Sequence, residues 1–253
     1  MVKRNQLVEF LDDLLPLPTG IEDASNNGLQ VEGGTSVRKV AFGVDACLAL
    51  FKRAAQAKAD FIFVHHGLSW GEGWRRLTGR TAERMRALFL HRLSLYASHL
   101  PLDASPQVGN NFEIARRLGL EDLVSAFEYH GGEIGCAGQL PEPMPASRLC
   151  QLINQHLSTR SHCFDFGRKK IKTIGIVSGG GADAVAECAR RGIDVLLTGE
   201  VGHPDYHAMA EARQTVIAAG HYRTETPGVE AVARRVAEKF DIQTVFIDLP
   251  TGL

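Results

Sequence analysis

Phe61-Ile62-Phe63-Val64-His65-His66-Gly67 is the stretch from which the rest of the chain is read. Four apolar residues, β-branched and aromatic, predict a buried strand. Strand side chains alternate between faces, so two adjacent imidazoles rarely serve one core. At a strand exit followed by glycine, the backbone can turn and bring both rings into one crevice. Neutral imidazole is the commonest protein ligand for mid-row divalent metals. The pair therefore predicts a metal site; the rival reading is one core and one surface histidine.

Outward from this strand the apolar periods alternate. Upstream, Leu7, Phe10, Leu11, Leu14 and Leu15 give a helical period over 5–15, closed by Pro16 and Pro18. Residues 40–44 predict a strand with Asp45 at its exit, and 48–58 a helix. A helix over 81–91, a strand over 94–99 ending near Asp103, and a helix over 110–118 stopped at Gly119 follow. In the second half, strands are expected over 133–140, 171–178, 194–198, 215–219 and 244–248. Helices are expected over 147–157, 182–191, 203–212 and 227–240. Such alternation predicts an α/β fold with mixed or parallel sheets. A break over 126–132 suggests lobes 1–126 and 127–253, with the last strand free to return to the first lobe.

Composition narrows the function classes. The chain has 253 residues, with 28 Lys and Arg against 29 Asp and Glu, for a net charge of −1. That balance gives no support to a nucleic-acid or membrane-surface role. Cys47, Cys136, Cys150, Cys163 and Cys188 are scattered without a CxxC, which argues against a disulfide framework and a structural zinc knuckle. The N-terminal stretch is polar and amphipathic, and no apolar run approaches the ~18 residues of a membrane span. A cytoplasmic protein is expected.

Further ligand candidates stand at other strand ends. One is Asp103, in His99-Leu100-Pro101-Leu102-Asp103; two more are His221 and Glu225, in Gly220-His221-Tyr222-Arg223-Thr224-Glu225. Thr226 and Pro227 suit the N-cap and first position of a helix, which puts His221 and Glu225 in a turn. In α/β proteins the loops after strand carboxyl ends form the functional crevice. Three imidazoles and two carboxylates exceed what one tetrahedral ion with an open position needs. They suit two ions roughly 3.5–4 Å apart. With nitrogen and oxygen donors and no thiolate, Zn, Mn, Fe, Co or Ni all fit.

Five ordered motifs carry a family resemblance: Asn26-Asn27-Gly28-Leu29-Gln30-Val31, Phe63-Val64-His65-His66-Gly67-Leu68, His99-Leu100-Pro101-Leu102-Asp103, Ser178-Gly179-Gly180-Gly181 and Gly220-His221-Tyr222-Arg223-Thr224-Glu225. Over nearly its full length the chain resembles the NGG-interacting-factor-three-like family, whose members are often labelled GTP cyclohydrolase 1 type 2 homologues. The resemblance implies two similar α/β lobes, a dinuclear metal site held by His65, His66, Asp103, His221 and Glu225 in the crevice between them, and a toroidal homohexamer with metal sites facing an inner cavity. Thr198-Gly199-Glu200-Val201-Gly202-His203 and the chain length fit the short bacterial type, without an inserted middle domain. The label suggests attack of water on a ring carbon of a nucleotide.

The expectation is thus a metal-dependent hydrolase of a small polar or nucleotide-like substrate, with His99 or Glu200 as proton shuttle. The alternative is a metal-stabilised ring acting as an interaction scaffold, and a third reading is DNA threaded through the ring. His99 is equally readable as orienting a ligand or as a structural histidine. Asp45 is placed to hydrogen-bond a ligand histidine, and His203 and His207 follow a strand end. Asn26, Asn27 and Gln30 read as turn residues or as contacts to substrate or another subunit. Trp70 and Trp74 read as lid or interface residues, and Gly179 to Gly181 as a tight turn or a weak phosphate loop.

Overall fold

The computed structural model describes residues 1–253. The first part of the chain gives strands β1 (Val2–Lys3), β2 (Gly28–Val31), β3 (Ser36–Val37), β4 (Lys39–Asp45), β5 (Phe61–His66) and β6 (Ser94–Ala97). With them come helices α1 (Arg4–Leu14), α2 (Leu48–Gln56), α3 (Gly79–Leu90) and α4 (Leu100–Ala104). Then follow α5 (Asn110–Arg117), β7 (Glu121–Tyr129), β8 (Gly132–Met144), α6 (Ala146–Leu157), β9 (His162–Phe164), β10 (Ile171–Val177), α7 (Val185–Arg191) and β11 (Val195–Thr198). The chain ends with α8 (Asp205–Glu211), β12 (Thr215–Ala218), α9 (His221–Thr224), α10 (Thr226–Phe240) and β13 (Gln243–Phe246). These elements make a mixed α/β fold that clusters into two compact units.

One unit comprises Met1–Leu102 and Val229–Leu249. Its main sheet has the order β13-β4-β5-β6-β2, with β13, β4, β5 and β6 parallel and β2 antiparallel at the edge. Period-two alternation sorts the side chains. Ala41, Ile62, Val64 and Leu95 pack with Leu50, Phe51 and Ala54 of α2 and with Met85 and Leu88 of α3. The rings of Phe42, Phe63 and Tyr96 line up across the same strands, with centroids 5.6 and 5.8 Å apart. Tyr96 Oη donates to Asp12 of α1 at 2.8 Å. Full burial of each aliphatic side chain is worth roughly 1.5–3 kcal/mol. The strand that ends in the histidine pair is therefore firmly anchored.

The other unit comprises Asp103–Gly228 and Pro250–Leu253. Its sheet order is β7-β8-β10-β11-β12-β9. The central β10, β11 and β12 are parallel, while β7, β8 and β9 join antiparallel. Leu149, Ile153 and Leu157 of α6 pack on Ile174, Ile176, Leu197 and Ile217. Another cluster joins Phe127, Leu196 and Val216 to Val185 and Cys188 of α7 and Met209 of α8.

Several local readings change. Strand β5 runs through both histidines instead of ending at Val64. Residues 121–129, for which the sequence predicts no element, form β7, and this strand pairs antiparallel with the expected strand β8 through a turn at His130 and Gly131 with φ of 47° and 89°. The helix expected over 182–191 opens with a 3₁₀ turn at Ala182–Ala184, and Pro204 delays the start of α8 to Asp205. Residues 221–224, expected in a turn, form α9, so His221 and Glu225 are related as i and i+4 along helical backbone. All five cysteines are free, and burial pushes the Cys136 and Cys188 thiols up to about 12. No helix is long and apolar enough to cross a membrane.

Candidate metal centre

In the first unit the histidine pair is joined by His99. The His65 ring centroid lies 4.5 Å from that of His66 and 5.2 Å from that of His99, and the ligating nitrogens of the three fall within 4.8 Å of one another. Each ring is oriented by an oxygen acceptor at Nδ1. His65 Nδ1 donates to the Ser98 carbonyl at 2.9 Å, His66 Nδ1 to Asp45 Oδ1 at 2.8 Å, and His99 Nδ1 to Asp23 Oδ1 at 2.8 Å. A carbonyl or carboxylate can only accept, so the proton sits on Nδ1 and the lone pair of the neutral ring sits on Nε2. Metal-ligating histidines are held in this way, by an outer oxygen that fixes tautomer and ring plane.

The loops that carry these rings are tied by polar residues from 23–30. Gln30 Oε1 accepts from the backbone of Leu68 and Ser69, and Gln30 Nε2 donates to the Asn26 and Ser69 carbonyls. Asn26 Nδ2 donates to Ser69 Oγ, and Asn27 Oδ1 accepts from His99 N. Gly67 is needed because a Cβ there would meet the Gln30 amide at 2.5 Å and Ala97 Cβ at 2.6 Å. The Asp23 side chain is only 1 % exposed. Burial raises its pKa, but hydrogen bonds from His99, Asn27 and Ser25 N, together with the His99 charge, outweigh that and hold it at about 2. Trp70 Nε1 donates to the Gly67 carbonyl, and its ring stands edge-on to His99 at 5.1 Å.

The second unit holds the remaining candidates. Asp103, in α4, is buried, and its Oδ1 accepts from Asn110 Nδ2 at 2.9 Å and Ser178 Oγ at 3.0 Å. Asn110 Oδ1 in turn accepts from Gly228 N, while Asn111 bridges the Asp103 and Ile134 carbonyls and receives Ser178 N. His221 lies between two carboxylates, with Nε2 3.1 Å from Glu225 Oε1 and Nδ1 3.3 Å from Glu200 Oε1. The Glu225 hydrogen bond is the largest influence on its pKa; burial opposes, the Glu225 charge and Glu200 add, and the value rises to about 9. Beneath them, Gly179 has φ +63°, and a Cβ there would sit 2.5 Å from Glu225 Oε1. The buried Thr224 Oγ1 accepts from Gly179 N at 3.0 Å, and Gly181 N is spent on Thr198 Oγ1. The glycine run is therefore a packed turn, as two of its three N–H groups are committed within the protein.

These donors are imidazole nitrogen and carboxylate oxygen, and the first set has its Nδ1 protons already committed. That chemistry fits a divalent cation of the borderline class. The family model for Duf34/NIF3 (NGG1p interacting factor 3) matches residues 2–251. The chain belongs to the NIF3 family. Among relatives, the GTP cyclohydrolase 1 type 2 homolog of Pyrococcus abyssi is 43% identical over 253 residues, covering 100% of both chains. The protein of the same name from Deinococcus radiodurans is 41% identical over 252 residues, covering 100% of this chain and 95% of its own. Among solved structures, TTHA1606 from Thermus thermophilus superimposes with a TM-score of 0.91 at 39% identity, and protein ybgI with 0.92 at 32%; each covers 100% of both chains.

Within this NIF3 chain the structure gathers His65, His66 and His99 in one unit. In the other unit Glu200, His221 and Glu225 form one contact chain, and Asp103 sits in its own asparagine network. Asp45 holds His66, as its place at the end of β4 suggested. Sequence reasoning did not single out Asp23, Asn110, Asn111 or Thr224. The signal for Asp23 was its spacing, four residues before Asn27 in a polar segment with turn chemistry. Asn110 and Asn111 show only as amides at the start of a helix.

Proposed function

We propose that the protein is a metal-dependent hydrolase of a small, nucleotide-like substrate. Two divalent cations would be held by His65, His66, Asp103, His221 and Glu225. The observation that carries this reading is the common orientation of three imidazoles: each Nδ1 is committed to an oxygen, so each Nε2 is the basic nitrogen. His65 is fully buried, and the ligating nitrogens of the three rings lie within 4.8 Å of one another, close enough to share an ion. The name shared by the curated relatives, GTP cyclohydrolase 1 type 2 homolog, supports a nucleotide-like substrate.

Bound divalent ions supply Lewis acidity and a water that ionises near neutral pH. The chain's own part is to orient donors and move protons. Glu200 is 53% exposed and touches His221 Nδ1, so it can pass a proton between that ring and solvent. His99 donates a hydrogen bond from Nδ1 to a buried, ionised Asp23 and so presents Nε2 as its basic nitrogen. Asn110 and Ser178 fix one oxygen of Asp103 and thereby the plane of the carboxylate. The reading extends to a homohexamer, in line with the family resemblance.

Elemental analysis of purified wild type and of the His65→Ala/His66→Ala variant, followed by a metabolite-depletion screen with the metal found, tests the proposal. Metal in wild type, its loss in the variant with an unchanged circular dichroism spectrum, and turnover that chelator abolishes are expected. Equal metal in the two proteins would sink the site assignment. Loss of assembly on chelation with no turnover across the screen would replace the hydrolase with a scaffold.

A further inference from the structure

Beyond the histidine sets, the second unit carries a pocket of about 440 Å³ lined by Phe164, Val201, Gly202, His203, Tyr206 and His207. We propose that this pocket binds a planar heteroaromatic ring of nucleobase size. Its volume lies in the usual range for small-molecule sites, roughly 300–1,000 Å³. The Phe164 and Tyr206 rings meet at 76° with centroids 6.3 Å apart, so they form two nearly perpendicular apolar walls. A flat ring can lie against the face of one wall and turn its edge to the other, the two arrangements aromatic quadrupoles favour. His203 and His207 are exposed and bring ring nitrogens able to donate or accept at the polar edge of a heterocycle.

The walls are held from behind. Phe164 is paired across β9 and β12 with Val216, and Phe164 and Val201 pack on a cluster containing Leu196, Met209 and Val216. Phe166 meets the Tyr206 ring at 5.4 Å and 89°. Tyr206 nevertheless remains 43% exposed, so its ring is open to a ligand. A saturated or non-planar ligand gains little from such walls, whereas a fused ring gains its whole face. Val201 directly follows Glu200, whose carboxylate touches His221. The pocket is thus joined through the backbone of Val201 to that carboxylate. That the ring belongs to the substrate rests on the proposed hydrolase; that the pocket takes a ring does not.

Saturation-transfer NMR and calorimetry on the full chain, with adenosine and guanosine as probes and ribose and cyclohexanol as controls, test this. A nucleoside is expected to bind and the controls to fail. Tyr206→Ala should weaken binding by about 5- to 150-fold, the range that loss of one base-stacking partner brings. Tyr206→Phe should retain binding, and metal content should be unchanged in either variant. His221→Ala should lose metal yet still bind the nucleoside, so failure of the metal reading leaves this one standing. No transfer to either nucleoside, binding unaffected by Tyr206→Ala, or equal binding of cyclohexanol would overturn the proposal. So would a fall in molar mass of Tyr206→Ala without nucleoside binding to wild type, because a second copy of the chain would then cover the groove.

Discussion

The two units hold their candidate ligands by opposite means. In the first, each imidazole is pinned from outside, by Ser98, Asp45 or Asp23. In the second, the candidates pin one another, with His221 held between Glu200 and Glu225 over a glycine floor. External pinning fixes the direction of a lone pair whether or not an ion is bound. Mutual pinning lets a proton occupy the contact that a cation would otherwise share. The lesson is that candidate ligands can be preorganised in one part of a chain and adaptable in another.

The sharpest way to break this contrast is to delete ligands on each side separately. His65→Ala/His66→Ala and His221→Ala should each lower metal affinity by more than the 10–100-fold typical of losing an orienting partner. If elemental analysis shows that each retains half the metal, the two sets bind ions independently and do not share them. Next in size is the glycine floor. Gly179→Ala forces a side chain into positive φ and against Glu225, and should cost roughly 2–4 kcal/mol in denaturant unfolding. Unchanged stability would mean that the floor gives way.

Asp23 then separates orientation from ligation. Asp23→Ala should weaken metal binding about 10- to 100-fold, while Asp23→Asn, which keeps an acceptor, should lose less. Asp45→Asn should do less than either substitution at Asp23, because Asp45 is 41% exposed and water can replace it. The smallest effect is pH dependence in the metal-free protein. Asp23 has a folded pKa held down at about 2, against 3.8 otherwise, so its stabilisation is present above 3.8 and lost as pH falls through about 2. His221 has a folded pKa raised to about 9, against 6.5, so its stabilisation is full below 6.5 and lost as pH rises through about 9. NMR titrations should therefore place the Asp23 carboxyl near 2 and the His221 imidazole near 9. A His221 resonance titrating near 6.5 would remove the mutual pinning.

Most of the fold was legible because its signals are local. Apolar runs such as 61–64 and 171–178 marked strands, and helical periods over 5–15 and 227–240 marked helices, with ends shifted by a few residues. The strand over 133–140 was legible, but its hairpin partner β7 was not, because it alternates weakly and leaves Val124 and Tyr129 exposed. The short helix α9 was hidden for another reason: four residues between Gly220 and Glu225 carry no period. The ligand candidates stood out as rare residue types at strand exits. Their supports did not, since Asp23 reaches His99 across 76 positions of sequence and Ser178 reaches Asp103 across 75, and a buried carboxylate reads like any turn residue until its partners are seen.

One support has no side chain at all. The oxygen that orients His65 is the backbone carbonyl of Ser98, placed by the parallel register that pairs Val64 with Ala97 and bonds Ser98 N to the Val64 carbonyl. Any amino acid at position 98 offers the same oxygen, so no point mutation there deletes it. Its inheritance is tied to the alignment of two strands, and a one-residue slip between them would erase what no substitution can. For this histidine, evolutionary robustness is written in topology, and a comparison of homologous residues at that position would give no sign of it.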